Sequence, residues 1–195
     1  MTLREHAEEV STRVGTPALE TRRLLLRPIE LNDAAMIQAI FPQWEVVRYL
    51  ADRVPWPYPA DGAERFIREI ALPATERGEQ WHWTLRLKSS PETLIGAINL
   101  KKGQNENRGF WIAPEWQRMG LMSEAVEAVT DFWFEVLGFL VLRSPKAVGN
   151  EASRRISQKQ GMRMVGVEDR GYVSGRLPSE IWEISREEWR AARRR

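Results

Sequence analysis

The sequence predicts an α+β fold: a mixed, mostly antiparallel sheet flanked by helices, with one central parallel strand-helix-strand unit. Three observations carry this expectation. Residues 81–87 and 93–100 alternate large apolar and polar side chains on either side of the turn signal Ser89-Ser90-Pro91-Glu92, the pattern of an antiparallel hairpin. A long helical periodicity over Leu121, Met122, Ala125, Val126, Val129, Phe132, Trp133, Val136 and Leu137 sits between two strand-like runs, 108–112 and 139–143. A helix of that length provides the crossover that lays its flanking strands parallel. A further pair of strand-like runs, 164–172 and 181–185, closes the pattern as a final hairpin.

Taken in order, residues 1–20 mix charges with few apolar positions and read as an N-terminal arm outside the core, and 21–195 as a single domain. The run at 23–29 is a first strand, with Pro28 tolerable only near its end or on a sheet edge. Asn32 or Asp33 then caps a helix carrying Ala35, Met36, Ile37, Ala39 and Ile40. Residues 42–59 are rich in proline and hold Trp44, Tyr49, Trp56 and Tyr58, a composition that resists regular structure while supplying large flat side chains. These aromatics either wall a pocket or pack the loop onto the core. A second helix begins near Ala60 or Asp61, presents Ala63, Phe66, Ile67, Ile70 and Ala71, and ends at Pro73 or Gly78. After the central hairpin, 103–107 is a polar turn into the strand 108–112, and the long helix spans about 120–137. Asn150 opens a polar helix running to about Gln160, with Gly161 at a C-cap position. Ser174-Gly175 and Pro178-Ser179 mark turns in the closing hairpin, and a short helix covers 187–193.

Composition narrows the class. The chain has 195 residues, 43% apolar and 29% charged, with a formal charge of +2, which suits one soluble domain with a single core. No run approaches the roughly 20 apolar residues of a membrane helix, and the first residues lack a secretory signal's apolar centre, so the expected location is cytoplasmic. The basic run Arg190, Arg193, Arg194 and Arg195 reads as a solvated tail rather than a nucleic-acid footprint. With no cysteine there is no thiolate nucleophile, and with only His6 and His82 no histidine-rich metal site is expected. Neither a GxxxxGK[ST] nor a GxGxxG loop is present. His82 lies between Trp81 and Trp83 in a strand, where a packed imidazole is expected rather than a catalytic one.

One stretch does suggest chemistry. Gln117, Arg118, Met119, Gly120, Leu121, Met122 and Ser123 join a strand to the long helix. A short loop opening a helix exposes unpartnered N–H groups and carries the positive end of the helix dipole, so it can hold a phosphate.

The motif Gln117-Arg118-Met119-Gly120-Leu121-Met122 resembles the Q/R-x-x-G-x-G/A acyl-CoA loop of the GNAT superfamily of N-acetyltransferases. The blocks RLLLRPIELNDA, the aromatic and proline-rich stretch 46–59, GFWIAPEWQRMGLMSEAV and NEASRRISQKQGM are similar to the RimJ/RimL-type branch, which acetylates ribosomal-protein N-termini. The resemblance covers about residues 20–186. It implies a direct transfer of acetyl from acetyl-CoA to a primary amine, above all a protein or peptide α-amine, in a monomer or homodimer. It also implies no metal, no membrane and no direct nucleic-acid contact. By resemblance, the amides of 118–123 hold the CoA pyrophosphate, and the strand bearing Phe110, Trp111 and Ile112 takes the pantetheine arm. Asn150 and Ser153 meet that arm, with Ser153 near the sulfur.

Two positions depart from the family pattern. Many relatives carry a tyrosine four residues before the glycine that is Gly161 here; this chain has Ser157, and Ser153 takes the general-acid role by default. Relatives often have an acidic residue before the strand's glycine, where Asn107 and Arg108 stand here, leaving Glu106, one position off, as the candidate base. Trp44, Tyr49, Trp56 and Tyr58 are the candidate acceptor contacts. Three alternatives stay open: a non-catalytic acyl-CoA-binding module, an acetyltransferase of a small amine or antibiotic, and an RNA-binding protein using its arginine tail.

Overall fold

The structure, a computed structural model, describes residues 14–193. Most of the expected elements are present, in two sheets. Strands β1 (Leu19–Glu20), β2 (Leu24–Pro28), β3 (Gln80–Leu87), β4 (Ser90–Lys101) and β5 (Arg108–Ile112) form one antiparallel sheet in that order. Strands β6 (Val141–Ala147), β7 (Arg163–Tyr172) and β8 (Gly175–Ser185) form a second antiparallel sheet, ordered β6-β8-β7. The helices are α1 (Ala34–Ile40), the short α2 (Trp44–Val47), α3 over 62–76, α4 (Leu121–Asp131), α5 (Glu151–Lys159) and α6 (Arg186–Ala192). None among the described residues is long and apolar enough to cross a membrane.

Where the expected parallel pair should join the two sheets, β5 and β6 share no ladder. They meet at one end only: the N–H of Asn107 donates to the carbonyl of Arg143 at 2.8 Å, and the Ser144 hydroxyl to the carbonyl of Arg108 at 3.1 Å. Residue 107 faces 143 and 108 faces 144, so the strands do advance in parallel. Past that point no main-chain bond links them among the described residues, and they splay apart. Asn107 fixes the joint. Its buried amide donates to the carbonyls of Lys101 and Gly103 and accepts the N–H of Arg143 at 2.7 Å. A carboxylate has no N–H to donate to those carbonyls.

Two apolar clusters hold the sheets. The larger packs β2, β3 and β4 against the long helical face expected around α4, and includes Leu26, Trp81, Trp83, Val126, Val129 and Trp133. The other lies under α1, α2 and α3, with Ile37, Phe41, Val47 and Ile67. Being covered on both faces, β3 also buries its polar alternates: Arg86 pairs with Asp33 at 2.5 Å, both nearly inaccessible. His82 packs its ring on Phe66, and burial brings its pKa down to about 4, so the imidazole is neutral, as a packed residue should be.

Several expectations are corrected locally. Residues 14–20 do not stand clear of the core: the indoles of Trp81 and Trp83 donate to the carbonyls of Val14 and Pro17, at 2.9 and 2.6 Å. The rest of the expected arm, 1–13, lies outside the described residues. Helix α3 runs through Pro73 to Glu76, because a π-helical segment, Phe66–Ala71, precedes the proline and leaves it in the first turn of the next α-helical segment, where its missing N–H costs little. The long helix likewise turns π-helical at Phe132–Val136. Pro178 and Ser179 lie within β8, not in a turn, and the Pro178 carbonyl accepts the N–H of Val148. In the arginine tail, Arg190 pairs with Glu135 at 2.6 Å and Arg193 with Asp131, which ties α6 to the end of the long helix. Arg194 and Arg195 lie outside the described residues.

Candidate active site

The splay between β5 and β6 opens into a cleft of about 1900 Å³, whose walls reach from the head of α4 to the start of β7's hairpin turn. Its floor is the unpaired edge of β5: residues 109–112 bond to β4 on one side and to nothing in β6 on the other. Close sheet packing depends on small residues here. A Cβ on Gly109 would stand 2.7 Å from Asn99 Oδ1, and one on Gly96 2.5 Å from the Trp111 carbonyl.

At the far end of β5, the loop 117–123 is held in an uncommon conformation. Arg118 and Gly120 both take positive φ, 61° and 75°. Gly120 tolerates this freely, whereas for Arg118 it is a disfavoured state that the surroundings must impose. The result is a run of amides, residues 118–123, with no main-chain acceptor among the described residues until Glu124 bonds back to the Gly120 carbonyl at 3.2 Å. Successive free N–H groups at a helix start form an anion site. The loop's carbonyl side is held elsewhere: Arg23 donates to the Met119 carbonyl at 3.0 Å and to Glu124 Oε2 at 2.8 Å. Glu124 also accepts from Thr21 and the Arg23 N–H, so its charge, in the first turn of α4, is directed to the β1–β2 turn rather than to the free amides. Gln117 closes the junction, its amide donating to the Ile112 carbonyl at 3.2 Å. Arg118, Arg155 and Lys159 add positive charge along the cleft wall.

Helix α5 starts on the opposite wall. Asn150 caps it by accepting the Ser153 N–H at 3.2 Å, and Ser153, nearly buried, lines the cleft. Ser157 is one turn further in, fully buried, its hydroxyl without a partner among the described residues. It cannot reach the reacting space as a longer side chain would.

The other end of β5 is charged. Glu106 accepts from Arg53 at 2.9 Å and pairs with Lys101 at 2.9 Å and Arg170 at 3.3 Å. Burial works to raise its pKa, but the hydrogen bonds from Arg53 and Lys101, with their charges, outweigh it and bring the carboxyl down to about 2. Such a group is a poor proton acceptor at neutral pH, so the expectation of Glu106 as general base does not fit its surroundings. Residues 48–54 are fastened here against the β7–β8 hairpin: Ala51 bridges Tyr172, the Val173 N–H donates to the Leu50 carbonyl at 2.9 Å, and the Ser174 N–H to the Arg48 carbonyl at 3.2 Å.

Of the four aromatics expected to contact an acceptor, two line the cleft. Tyr49 comes within reach of Gly149, and Tyr58 packs edge-on against Phe41 with ring centroids 4.9 Å apart, its hydroxyl pushed up to about 12 by burial. Trp44 and Trp56 pack on each other outside it, centroids 5.7 Å apart and each about two-fifths exposed. Phe110, Trp111, Ile112, Gln117, Arg118, Gly120, Leu121, Met122, Ser123, Asn150, Ser153 and Glu106 all line the cleft; Met119 does not. Sequence reasoning missed Arg108 and Lys146, two buried basic residues on its walls. Arg108 stood in the expected strand 108–112, whereas Lys146 lay beyond the expected strand 139–143, which in the structure runs over Val141–Ala147.

The site is thus a cleft between two split strands, with a turn of free amides at the head of the crossover helix. Residues 23–163 match the acetyltransferase (GNAT) domain family, and the chain belongs to it. It is 32% identical over 162 residues to the uncharacterized N-acetyltransferase YoaA of Bacillus subtilis, covering 77% of this chain and 85% of that one. Among solved structures, the ribosomal-protein-S5-alanine acetyltransferase of Vibrio fischeri superposes with a TM-score of 0.75 at 15% identity, over 89% of this chain and 98% of that one. RimJ of Mycobacterium smegmatis, solved in complex with a CoA disulfide, gives 0.72 at 16% identity, over 91% and 94%. The protein is an N-acetyltransferase, and its family uses acetyl-CoA. The free amides of 118–123 and the unpaired β5 edge fit such a donor.

Proposed function

We propose that the chain transfers acetyl from acetyl-CoA directly to the α-amine of a protein or peptide. The observation that carries this reading is the continuity of one cleft from the six free amides of 118–123, along the bare edge of β5, to the tyrosines and charged side chains beyond it. Amides at one end suit a pyrophosphate. The main-chain groups of 109–111 that β4 leaves free suit an amide-bearing arm, and Ser153, which lines the same cleft, would give a proton to a departing sulfur. Acetyl-CoA supplies the activated acyl carbon; the chain binds, orients and manages protons.

The α-amine preference rests on chemistry. An α-amine with a pKa near 8 is about one-tenth free base at neutral pH, whereas a lysine near 10.4 is almost wholly protonated. Holding the free amine against the thioester then supplies much of the acceleration. Names among the structural relatives, ribosomal-protein acetyltransferases, agree with a protein acceptor. Following thiol release from acetyl-CoA with peptides of varied N-termini, N-blocked peptides carrying lysine, and small amines tests it. Release with free N-termini alone is expected; transfer only to lysines or small amines would contradict the assignment.

A further inference from the structure

Lys146 has no part in the reading above. It projects from β6 into the wall of the splay, 6% exposed, with Nζ 4.5 Å from the centroid of the Phe110 ring. A buried ammonium normally has a carboxylate partner. Among the described residues Nζ has neither an ion pair nor a hydrogen bond.

The charged groups around it are accounted for. Arg108 of β5 is buried, its guanidinium turned away toward Thr130 Oγ1 at 2.7 Å and Met162 Sδ at 3.6 Å. Glu106, just before β5, is held by Arg53, Lys101 and Arg170. Glu180, opposite Lys146 in the β6–β8 register, is taken by Arg154 and the Trp182 indole. Burial disfavours the ammonium, the Arg108 charge disfavours it further, and Glu106 offsets them only in part. The amine is therefore held well below its ordinary pKa.

We propose that Lys146 is the general base of the transfer, with Nζ, in the splay between β5 and β6, taking the proton from the acceptor amine. This rests on the amine-acetylation reading and names the proton acceptor that Glu106 cannot be. As the N–C bond forms, the acceptor nitrogen gives its proton to Nζ. As the C–S bond breaks, sulfur leaves with the electron pair and takes the Ser153 proton, and the proton on Nζ returns to the Ser153 oxygen through solvent. Amine and thioester become amide and thiol, and Lys146 returns to the free base. The face of Phe110 favours the transient ammonium, since a cation 4.5 Å from an aromatic centroid is attracted by the ring.

The test pairs kinetics with a titration of the free protein. The pH profile of kcat/KM for an α-amine peptide is measured for the wild type, Lys146→Met and Lys146→Arg. Lysine ¹³Cε resonances are followed across pH, with the Lys146 signal identified by its loss in Lys146→Met. Calorimetric CoA binding confirms that each variant is folded. The expectation is a loss of about 100-fold in kcat/KM in Lys146→Met, the scale of general-base catalysis, with no rescue by a guanidinium that cannot accept a proton. In the free protein the Lys146 signal titrates below the ordinary lysine range. Near-wild-type activity in either variant, or a Lys146 signal titrating with the others, overturns the proposal. A wild type that acetylates no amine fails the function itself, while the resonance titration still reads the amine on its own.

Discussion

At one end of β5 the cleft is bordered by main-chain amides of six neighbouring residues, 118–123, with no acceptor among the described residues; at the other it is lined by side chains of Arg53, Lys101, Glu106 and Arg170, from four separate segments. The first end needs only a local conformation, two positive φ angles and a helix start. The second exists only because the loop 48–54 is fastened to the β7–β8 hairpin. Backbone sites tolerate side-chain change and fail when φ is denied; assembled sites fail when a fastening is lost.

The largest expected effect therefore follows Gly120→Val. A β-branched residue at φ 75° forces the turn to refold, while the space beside it is ordinary, with Arg23 Nη2 3.5 Å from the added Cβ. CoA affinity measured by calorimetry should fall by about 100-fold, with the folded state retained. Next comes Gly171→Ala, whose Cβ would lie 1.8 Å from Asp52 Oδ2. The exposed Asp52 carboxylate must swing away from β7 while the backbone bonds of 48–54 remain, so the acceptor KM should rise about two- to threefold while CoA binding is unchanged; equal damage to both would show that the two ends are not separable.

An effect of similar size is expected from Glu106→Gln. Its carboxyl has a folded pKa of about 2 against an ordinary 4.5, so the stability this ionisation contributes is complete above about pH 4.5 and is lost as pH falls toward 2. Melting temperatures of wild type and Glu106→Gln should thus differ at neutral pH and converge in acid. Turnover at neutral pH should change only a few-fold. A loss of 100-fold with CoA and peptide binding intact would restore Glu106 as the base. The least effect belongs to Arg23→Gln, which frees the Met119 carbonyl and leaves Glu124 bound to Thr21 and the backbone; an only slightly weaker CoA affinity is expected, because the turn keeps its glycine.

The same contrast explains what could be read from the chain. The turn 117–123 was legible because its parts are contiguous: a strand, a glycine and a helical period in one stretch. Asn150 was legible for the same reason, as a cap beside its own helix. The ion pairs around Glu106 were not legible because its three cationic partners lie 5, 53 and 64 residues away, and no local pattern encodes them. Trp44 and Trp56 share the composition of Tyr49 and Tyr58 but point elsewhere, a choice made by loop packing. The expected parallel strand pair is present, joined at one end and splayed beyond it. Its separation depends on Asn107 tying one end only, and on Lys146 and Phe110 meeting where a ladder would have continued.

The central claim is that the main chain of 118–123 receives the donor's pyrophosphate, and amide ¹H–¹⁵N spectra report on it directly. Titration with CoA should shift the resonances of residues 118–123 more than any others, and pantetheine, which lacks the pyrophosphate, should leave them in place while moving those of 109–112. Saturable CoA binding that leaves the amides of 118–123 unmoved would contradict the account.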